Sequence, residues 1–231
     1  MHDISLTHLL YMAAPMGIVA YFYYKWVHDA KEVGYATARM VVQLLAIGYV
    51  LDAIFHSKSP FVAVAVVLFM VSVSSMIALR NFKEKNFINY RDVFISIFVG
   101  GTANLLLVLA FVIDIKPIYT PMVMIPLAGM IYANAMNSVA QAAERFESEI
   151  EKMSYEKARL FAFKASMLPR VNVLLAVGLV SLPGLMTGQI LSGVSPLIAA
   201  RYQIVIMSMV IGSSGISSVI FLLFKKPKTA V

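Results

Sequence analysis

Few side chains in this sequence could perform catalysis or bind a metal. The chain contains no Cys, and its four His residues are widely scattered. Thiolate metal sites and Cys nucleophiles are therefore excluded, and no His cluster has the spacing of zinc ligands. Asp52 and His56 are four residues apart on one predicted helix face, and Asp114 follows a later apolar stretch on the same predicted side. These three residues are candidate ligands for a divalent cation; solvated helix ends are the alternative interpretation.

The sequence also lacks a site for nucleotide hydrolysis. No Gly-x-x-x-x-Gly-Lys-Ser/Thr motif occurs, so the chain has no P-loop that could cradle ATP phosphates. No Asp or Glu lies near the middle of an apolar stretch, whereas proton- or sodium-coupled transporters use an ionisable group at that depth. We therefore expect no catalytic residue and no bound cofactor in this chain. Energy for any transport must then come from another protein.

Long apolar stretches dominate the chain, which is 60% hydrophobic and 13% charged. Seven of them are each long enough to cross a hydrocarbon core about 30 Å thick, at about 1.5 Å per helical residue. The predicted fold class is an all-α polytopic transmembrane bundle of about seven spans, with residues 1–231 forming a single membrane domain. The seven stretches are Ile4–Tyr24, Gly34–Phe55, Ser59–Leu79, Val93–Ile113, Pro117–Ala143, Val171–Ala200 and Tyr202–Phe224.

The basic residues sort onto one side of this seven-span arrangement. Of the 19 Lys and Arg residues, only Lys58, Lys116 and Arg201 fall on the other side. The positive-inside rule makes the basic side cytoplasmic, which places the N-terminus outside and the C-terminus in the cytoplasm. The net charge of +7 is then explained by topology and by attraction to anionic membrane lipid, not by nucleic-acid binding. We expect a multi-pass protein of the plasma (inner) membrane.

The largest polar stretch, residues 144–170, lies on the predicted cytoplasmic side. Ser154 is a candidate N-cap, and Glu156 in the first turn suits the positive end of a helix dipole. Pro169 predicts that this helix ends at or before Leu168.

An apolar stripe at helical spacing gives this predicted helix an amphipathic character. Its members are Phe161, Ala165 and Leu168. The helix either rests on lipid headgroups or docks against a cytoplasmic partner, because the pattern cannot identify what covers the stripe.

The sixth apolar stretch cannot be one regular helix. Pro183 removes a hydrogen-bond donor and crowds the preceding turn, and Gly184 and Gly188 lower helix stability further. Broken helices inside a membrane often line transport pathways; a proline kink covered by neighbouring helices is the alternative. The candidate pathway residues are Asn134, Asn137, Pro183, Gly184, Met186, Thr187 and Gln189.

Small residues and isolated amides elsewhere in the spans predict helix packing. The clusters at residues 100–103 and 212–215 allow close helix approach, within the chain or in a dimer. Gln43, Asn104 and Gln203 are interpreted as amides that hold helices together.

Several long segments carry a resemblance to a known family. Residues 178–191 read Gly-Leu-Val-Ser-Leu-Pro-Gly-Leu-Met-Thr-Gly-Gln-Ile-Leu, and residues 38–51, 158–169 and 195–204 add further matching runs. Together they resemble the FetB-like family of ABC-transporter permeases over nearly the whole length. The chain departs from that pattern at Leu185, where the family often has Met, which weakens any proposal of a metal site built from two adjacent Met residues.

The resemblance implies a permease that exports iron or a related metal ion, with plant relatives associated with aluminium tolerance. It implies a separate cytoplasmic FetA-like ATPase that binds ATP and Mg, and a permease homodimer paired with two ATPases. The Ser154–Leu168 helix is the place where ATPase motion could reach the broken sixth span, and its candidate coupling residues are Glu156, Arg159, Phe161, Phe163 and Lys164. A passive ion channel or carrier, and a membrane scaffold protein, are the alternatives.

Overall fold

The computed structural model describes residues 5–29, 31–56 and 59–227. Within them the chain forms nine α-helices, and a π-helical turn at Val108–Val112 prolongs the fifth. The helices are α1 (Leu6–Leu9), α2 (Ala13–Val27), α3 (Glu32–His56), α4 (Pro60–Ala78), α5 (Phe87–Leu107), α6 (Pro121–Ile150), α7 (Tyr155–Ala176), α8 (Gly184–Leu191) and α9 (Pro196–Phe224). They divide into two compact units, the first holding α1 to α3 and the second α4 to α9.

The all-helical class is confirmed, because the described residues contain helices and no β-strand. Five helices are long and apolar enough to cross a membrane: α3, α4, α5 with its π-helical turn, α6 and α9. They match five of the seven predicted stretches. The described part of the stretch Ile4–Tyr24 instead forms α1, a short 3-10 turn and most of α2. The stretch Val171–Ala200 is divided among the end of α7, α8 and the start of α9. The seven-span count, the orientation and the single domain stay predictions.

The first unit is a helical hairpin with no buried residue among those described. Its second long helix, α3, begins where Asp29 accepts hydrogen bonds from the backbone N–H groups of Lys31 and Glu32, at 3.0 and 3.1 Å. A carboxylate at this position satisfies donors that have no partner within the helix. Tyr23 on α2 donates a hydrogen bond to the Glu32 carboxylate and so joins the two helices.

The second unit has its core around α6, which packs against α4, α5, α7 and α9. Glycines allow the closest approaches, because an added Cβ would collide with the neighbouring helix. A Cβ at Gly100 would lie 2.7 Å from the backbone nitrogen of Ser217, and one at Gly101 would lie 2.6 Å from the Tyr132 ring. The predicted packing role of the two small-residue clusters is therefore confirmed within the chain, since Gly212 likewise meets Asn104.

The helix that begins after Ser154 is longer than predicted. Ser154 is the N-cap residue, although its side chain makes no capping hydrogen bond, and α7 continues through Pro169 to Ala176. The predicted end at or before Leu168 was therefore wrong. A proline inside a helix costs about 3 kcal/mol because it loses one hydrogen bond and crowds the preceding turn. Packing of α7 against α6 and α9 offsets this cost, so the helix continues past Pro169.

The buried face of α7 also differs from its apolar stripe. Ala158, Ala162 and Ser166 are fully buried, at intervals of four residues. Phe161 and Leu168 remain 42% and 54% exposed. Small side chains thus allow α7 to approach its neighbours closely, and the larger stripe residues stay available to lipid or to another protein.

Close packing of α5 on α9 makes Gly100 a sensitive position. We expect Gly100→Ala to lower the free energy of unfolding of the detergent-purified protein by about 1–3 kcal/mol, because a methyl group must displace the α9 backbone. Its melting temperature should fall accordingly. Gly215→Ala is the matched control on α9, since its Cβ would sit 3.6 Å from Met167 in ordinary contact. Thermal melting of both variants checks the prediction, and equal melting temperatures would contradict it.

Candidate functional site

The chain between α7 and α8 is interrupted rather than merely kinked. Residues 177–183 are not helical, and Gly178 has a φ of +85°, in the left-handed region that favours glycine. The carbonyl oxygen of Ala176 accepts hydrogen bonds from the N–H groups of Val180 and Ser181 at 2.8 and 3.2 Å, and Gly178 donates to the Ser181 carbonyl at 2.9 Å. The predicted break at Pro183 and Gly184 is confirmed, and it begins earlier, at Val177.

The start of α8 carries backbone donors with no side-chain cap. Pro183 occupies the N-cap position and makes no capping hydrogen bond, and the first turn of α8 has no acidic residue. The first N–H groups of a helix have no acceptor within it, and the helix dipole adds partial positive charge there. This end of α8 is therefore electropositive without any charged side chain of its own.

A cavity of about 220 Å³ lies against this end of α8, between α6, α7 and α9. Its wall combines apolar residues with Asn134 of α6, Arg170 of α7 and Gln203 of α9, and with Pro183 and Gly184 at the start of α8. A second cavity of about 350 Å³ shares Leu174, Gln203 and Met207 with the first and also contacts Met186. The predicted pathway residues Asn134, Pro183, Gly184 and Met186 thus surround two adjoining cavities.

Three polar side chains give the first cavity its chemistry. Arg170 is half-buried, and its Nε donates to Ser138 Oγ at 3.3 Å. Gln203 is only 4% exposed, yet neither atom of its amide has a hydrogen-bond partner among the described residues. Asn134 Nδ2 donates to the Met130 carbonyl oxygen at 2.7 Å. Because an unpaired buried amide costs about 1–3 kcal/mol, Gln203 is a poor residue for packing alone.

Other predicted pathway residues lie away from these cavities. Asn137 is exposed on α6 and lines neither cavity. Thr187 donates from Oγ1 to the Pro183 carbonyl oxygen at 3.2 Å, which closes the first turn of α8 locally. Gln189 is half-buried with an unpartnered Oε1, outside both cavities. A role for these three residues in a pathway stays a prediction.

Sequence reasoning missed Arg170 and treated Gln203 only as an interhelical amide. Arg170 follows Pro169, and in the sequence it is one of the many basic residues on the predicted cytoplasmic side. Continuation of α7 through the proline brings its guanidinium to the cavity. No pattern in the sequence distinguishes this arginine from its neighbours.

A groove of about 560 Å³ runs between the start of α7 and the end of α9. The Tyr155 hydroxyl fixes its geometry by donating to the Leu222 carbonyl oxygen at 2.8 Å. Four of the five predicted coupling residues line the groove, together with apolar side chains of both helices; they are Glu156, Arg159, Phe163 and Lys164. Phe161 does not line it and faces outward instead.

Ion pairs and hydrogen bonds tie this end of the unit together. Lys225 Nζ donates to Asn89 Oδ1 at 2.6 Å and lies 3.4 Å from the buried carboxylate of Asp92. Lys83 donates a hydrogen bond to Glu151, which lowers the pKa of that carboxyl. The ends of α5, α6 and α9 are thereby held in a fixed arrangement beside the groove.

The candidate cation site receives no support from these contacts. Asp114 is exposed and pairs with Lys116 at 3.4 Å. The Asp52 side chain lies outside the described residues, and Asp52 and His56 belong to the first unit whereas Asp114 belongs to the second. Among the described residues, no group of three His, Cys, Asp or Glu side chains could hold a metal ion. The Asp52–His56–Asp114 site stays a prediction.

The sequence was compared with protein-family models and with known proteins. Residues 6–229 match the model of UPF0014, an uncharacterised protein family. The chain is 33% identical to "Probable iron export permease protein FetB" of Escherichia coli over 85% of its own length and 81% of the relative. It is 32% identical to "UPF0014 membrane protein slr1647" of Synechocystis, over 80% and 78%, and 31% identical to "Protein ALUMINUM SENSITIVE 3" of Arabidopsis thaliana, over 81% and 73%.

No solved structure matches the chain. The match over almost the full length and the similarity to a FetB protein confirm the resemblance found in the sequence. The Synechocystis relative is named as a membrane protein, in agreement with the five apolar helices of membrane-spanning length among the described residues. The chain is a multi-pass membrane protein and belongs to the UPF0014 family.

Proposed function

We propose that the chain is the membrane subunit of an ABC transporter that exports iron or a related metal ion, driven by a separate cytoplasmic ATPase. The observation that carries this proposal is that one continuous helix, α7, lines the surface groove at one end and the cavities at the other. The similarity to a protein named as an iron export permease supports the substrate class.

The groove has the composition of a protein-docking surface. Leu160 and Leu223 are 61% and 52% exposed along it, and the charged side chains of Glu156, Arg159 and Lys164 border them. An exposed apolar centre within a charged rim is the usual anatomy of a protein interface. Since the chain has no P-loop, an ATPase seated here would supply ATP hydrolysis, with ATP and Mg bound in the partner.

A rigid α7 provides the mechanical connection. About 10 residues, or about 15 Å of helix, separate Leu160 in the groove from Arg170 at the cavity. A push on the start of α7 would move the cavity wall, while the non-helical residues 177–183 let α8 keep its place on α9. The proposed cycle alternates the cavities between two openings by this relative movement, a hinge-type transition.

The proposed arrangement in the membrane follows from the charges. The positive-inside rule puts the groove and Lys225 in the cytoplasm, where an ATPase could reach them. α1 with α2, and α7 with α8, would complete a seven-span topology together with the five long helices. A homodimer of this chain with two ATPases is the proposed assembly.

Reconstitution tests the proposed function directly. We expect vesicles that contain this chain and its ATPase to move Fe²⁺ or another divalent metal in an ATP-dependent manner, measured with a metal-sensitive dye and a panel of metals. Vesicles with the chain alone should show no uphill movement. Downhill metal flux through the chain alone would favour a passive channel, and absence of flux in a stable complex would favour a scaffold.

Substitutions in the groove test the docking surface. We expect Leu160→Asp to weaken binding of the ATPase about 30-fold, because losing one apolar interface anchor costs about 2 kcal/mol. Leu168→Asp is the matched control, since Leu168 is 54% exposed on the same helix but does not line the groove. Affinity is measured by titrating the ATPase onto the purified chain. Equal affinities for the two variants would rule out docking through the groove.

A further inference from the structure

The charge balance of the cavity is unusual for a site that takes a bare metal cation. Among the described residues that line the two cavities, Arg170 is the only charged one, and none is Asp or Glu. Iron and related metal cations are normally held by carboxylate, imidazole or thiolate ligands, and the described residues that line the two cavities include no Asp, Glu, His or Cys. A guanidinium repels such cations and hydrogen-bonds carboxylate or phosphate oxygens instead.

The Arg170 guanidinium is available for such a bond. Its Nε donates to the fully buried Ser138, which orients the group, and no ion pair engages it among the described residues. An arginine carries five N–H donors in a planar fork. Its two terminal nitrogens therefore remain to bind an acceptor that the protein itself does not supply.

Two further groups converge on the same space. The start of α8 lines the cavity through Pro183 and Gly184, and its first backbone N–H groups have no side-chain cap. The positive end of the helix dipole therefore lies at the cavity, a recognised arrangement for binding anions. Gln203 adds a side chain that is 4% exposed and has no partner for its amide nitrogen or oxygen. A buried amide in that state is explained if a ligand completes its hydrogen bonds.

We propose that this cavity is an oxyanion site, in which Arg170, the start of α8 and Gln203 bind a carboxylate or phosphate group. The volume of about 220 Å³ is below the 300–1,000 Å³ of sites for drug-sized ligands, so the occupant is a small anion. This part rests on the proposed function: the metal leaves the cell as an anionic complex with carboxylate or phosphate ligands, and not as a bare cation.

Calorimetry on the purified chain tests the site without the ATPase. In an uncharged detergent at fixed ionic strength, we expect saturable binding of citrate or inorganic phosphate and none of chloride. Arg170→Gln should weaken that binding at least about tenfold, the effect of losing a charge-assisted hydrogen bond. Arg170→Lys should retain part of it, because the charge stays but the fork is lost. Arg201→Gln is the matched control, since Arg201 is exposed on α9 and lines neither cavity.

Gln203→Met separates binding from stability. We expect this variant to bind the anion several-fold more weakly while its melting temperature stays equal or rises. Met has about the same size as Gln but lacks the unpaired buried amide. A fall in melting temperature with unchanged anion affinity would mean that the amide serves the fold, and it would remove Gln203 from the site.

The outcomes distinguish the sources of the anion and the two proposals. Absence of citrate and phosphate binding, or equal binding by the wild type and Arg170→Gln, overturns the oxyanion site. So does an anionic phospholipid that co-purifies with the wild type but not with Arg170→Gln while neither free anion binds, since the group is then a lipid headgroup. Tighter binding of bare Mn²⁺ than of citrate to the wild type also contradicts it. Anion binding without ATP-driven metal flux would leave the site standing and refute the transport function.

Discussion

Backbone groups of a membrane protein that are shielded from water must find hydrogen-bond partners within the protein, and the interruption after Ala176 breaks the regular helical pattern of such bonds. The N–H groups of residues 178–181 are satisfied locally, largely by the single carbonyl oxygen of Ala176. The donors at the start of α8 are left without a cap. They lie beside a cavity that Arg170 and Gln203 also line. The separation of α8 from α7, and the partial positive charge that the start of α8 adds to the cavity, both follow from this one break.

Much of the fold could be predicted from the sequence because it rests on strong local signals. Five of the seven predicted apolar stretches match helices of membrane-spanning length, small residues at 100–103 and 212–215 indicated close packing, and Pro183 with Gly184 indicated the break. The face that α7 buries could not be predicted from its stripe. Hydrophobicity favoured Phe161, whereas close packing against α6 and α9 selected Ala158 and Ala162 for their small size.

The misplaced end of α7 and the unrecognised Arg170 have the same physical cause. The preference against helix before a proline is local, and tertiary packing overrides it at Pro169. A helix that stops at Leu168 leaves Arg170 in a loop at the membrane surface. A helix that continues to Ala176 carries the guanidinium into contact with Ser138 and the cavity. The candidate site could therefore be predicted only in part: the sequence indicated the break, Asn134 and Met186, but not Arg170.

The proposed transport cycle requires α7 to move as one rigid body relative to α8, and distances between pairs of spin labels can measure that movement. The chain has no Cys, so Lys157, Leu175 and Leu191, all exposed, can be replaced by labelled cysteines in pairs. The 157–175 pair lies on α7, about 27 Å apart along the helix, and the 157–191 pair spans the break. On adding the ATPase with a non-hydrolysable ATP analogue, we expect a constant 157–175 distance and a changed 157–191 distance. A shortened 157–175 distance, from bending at Pro169, with an unchanged 157–191 distance would contradict it.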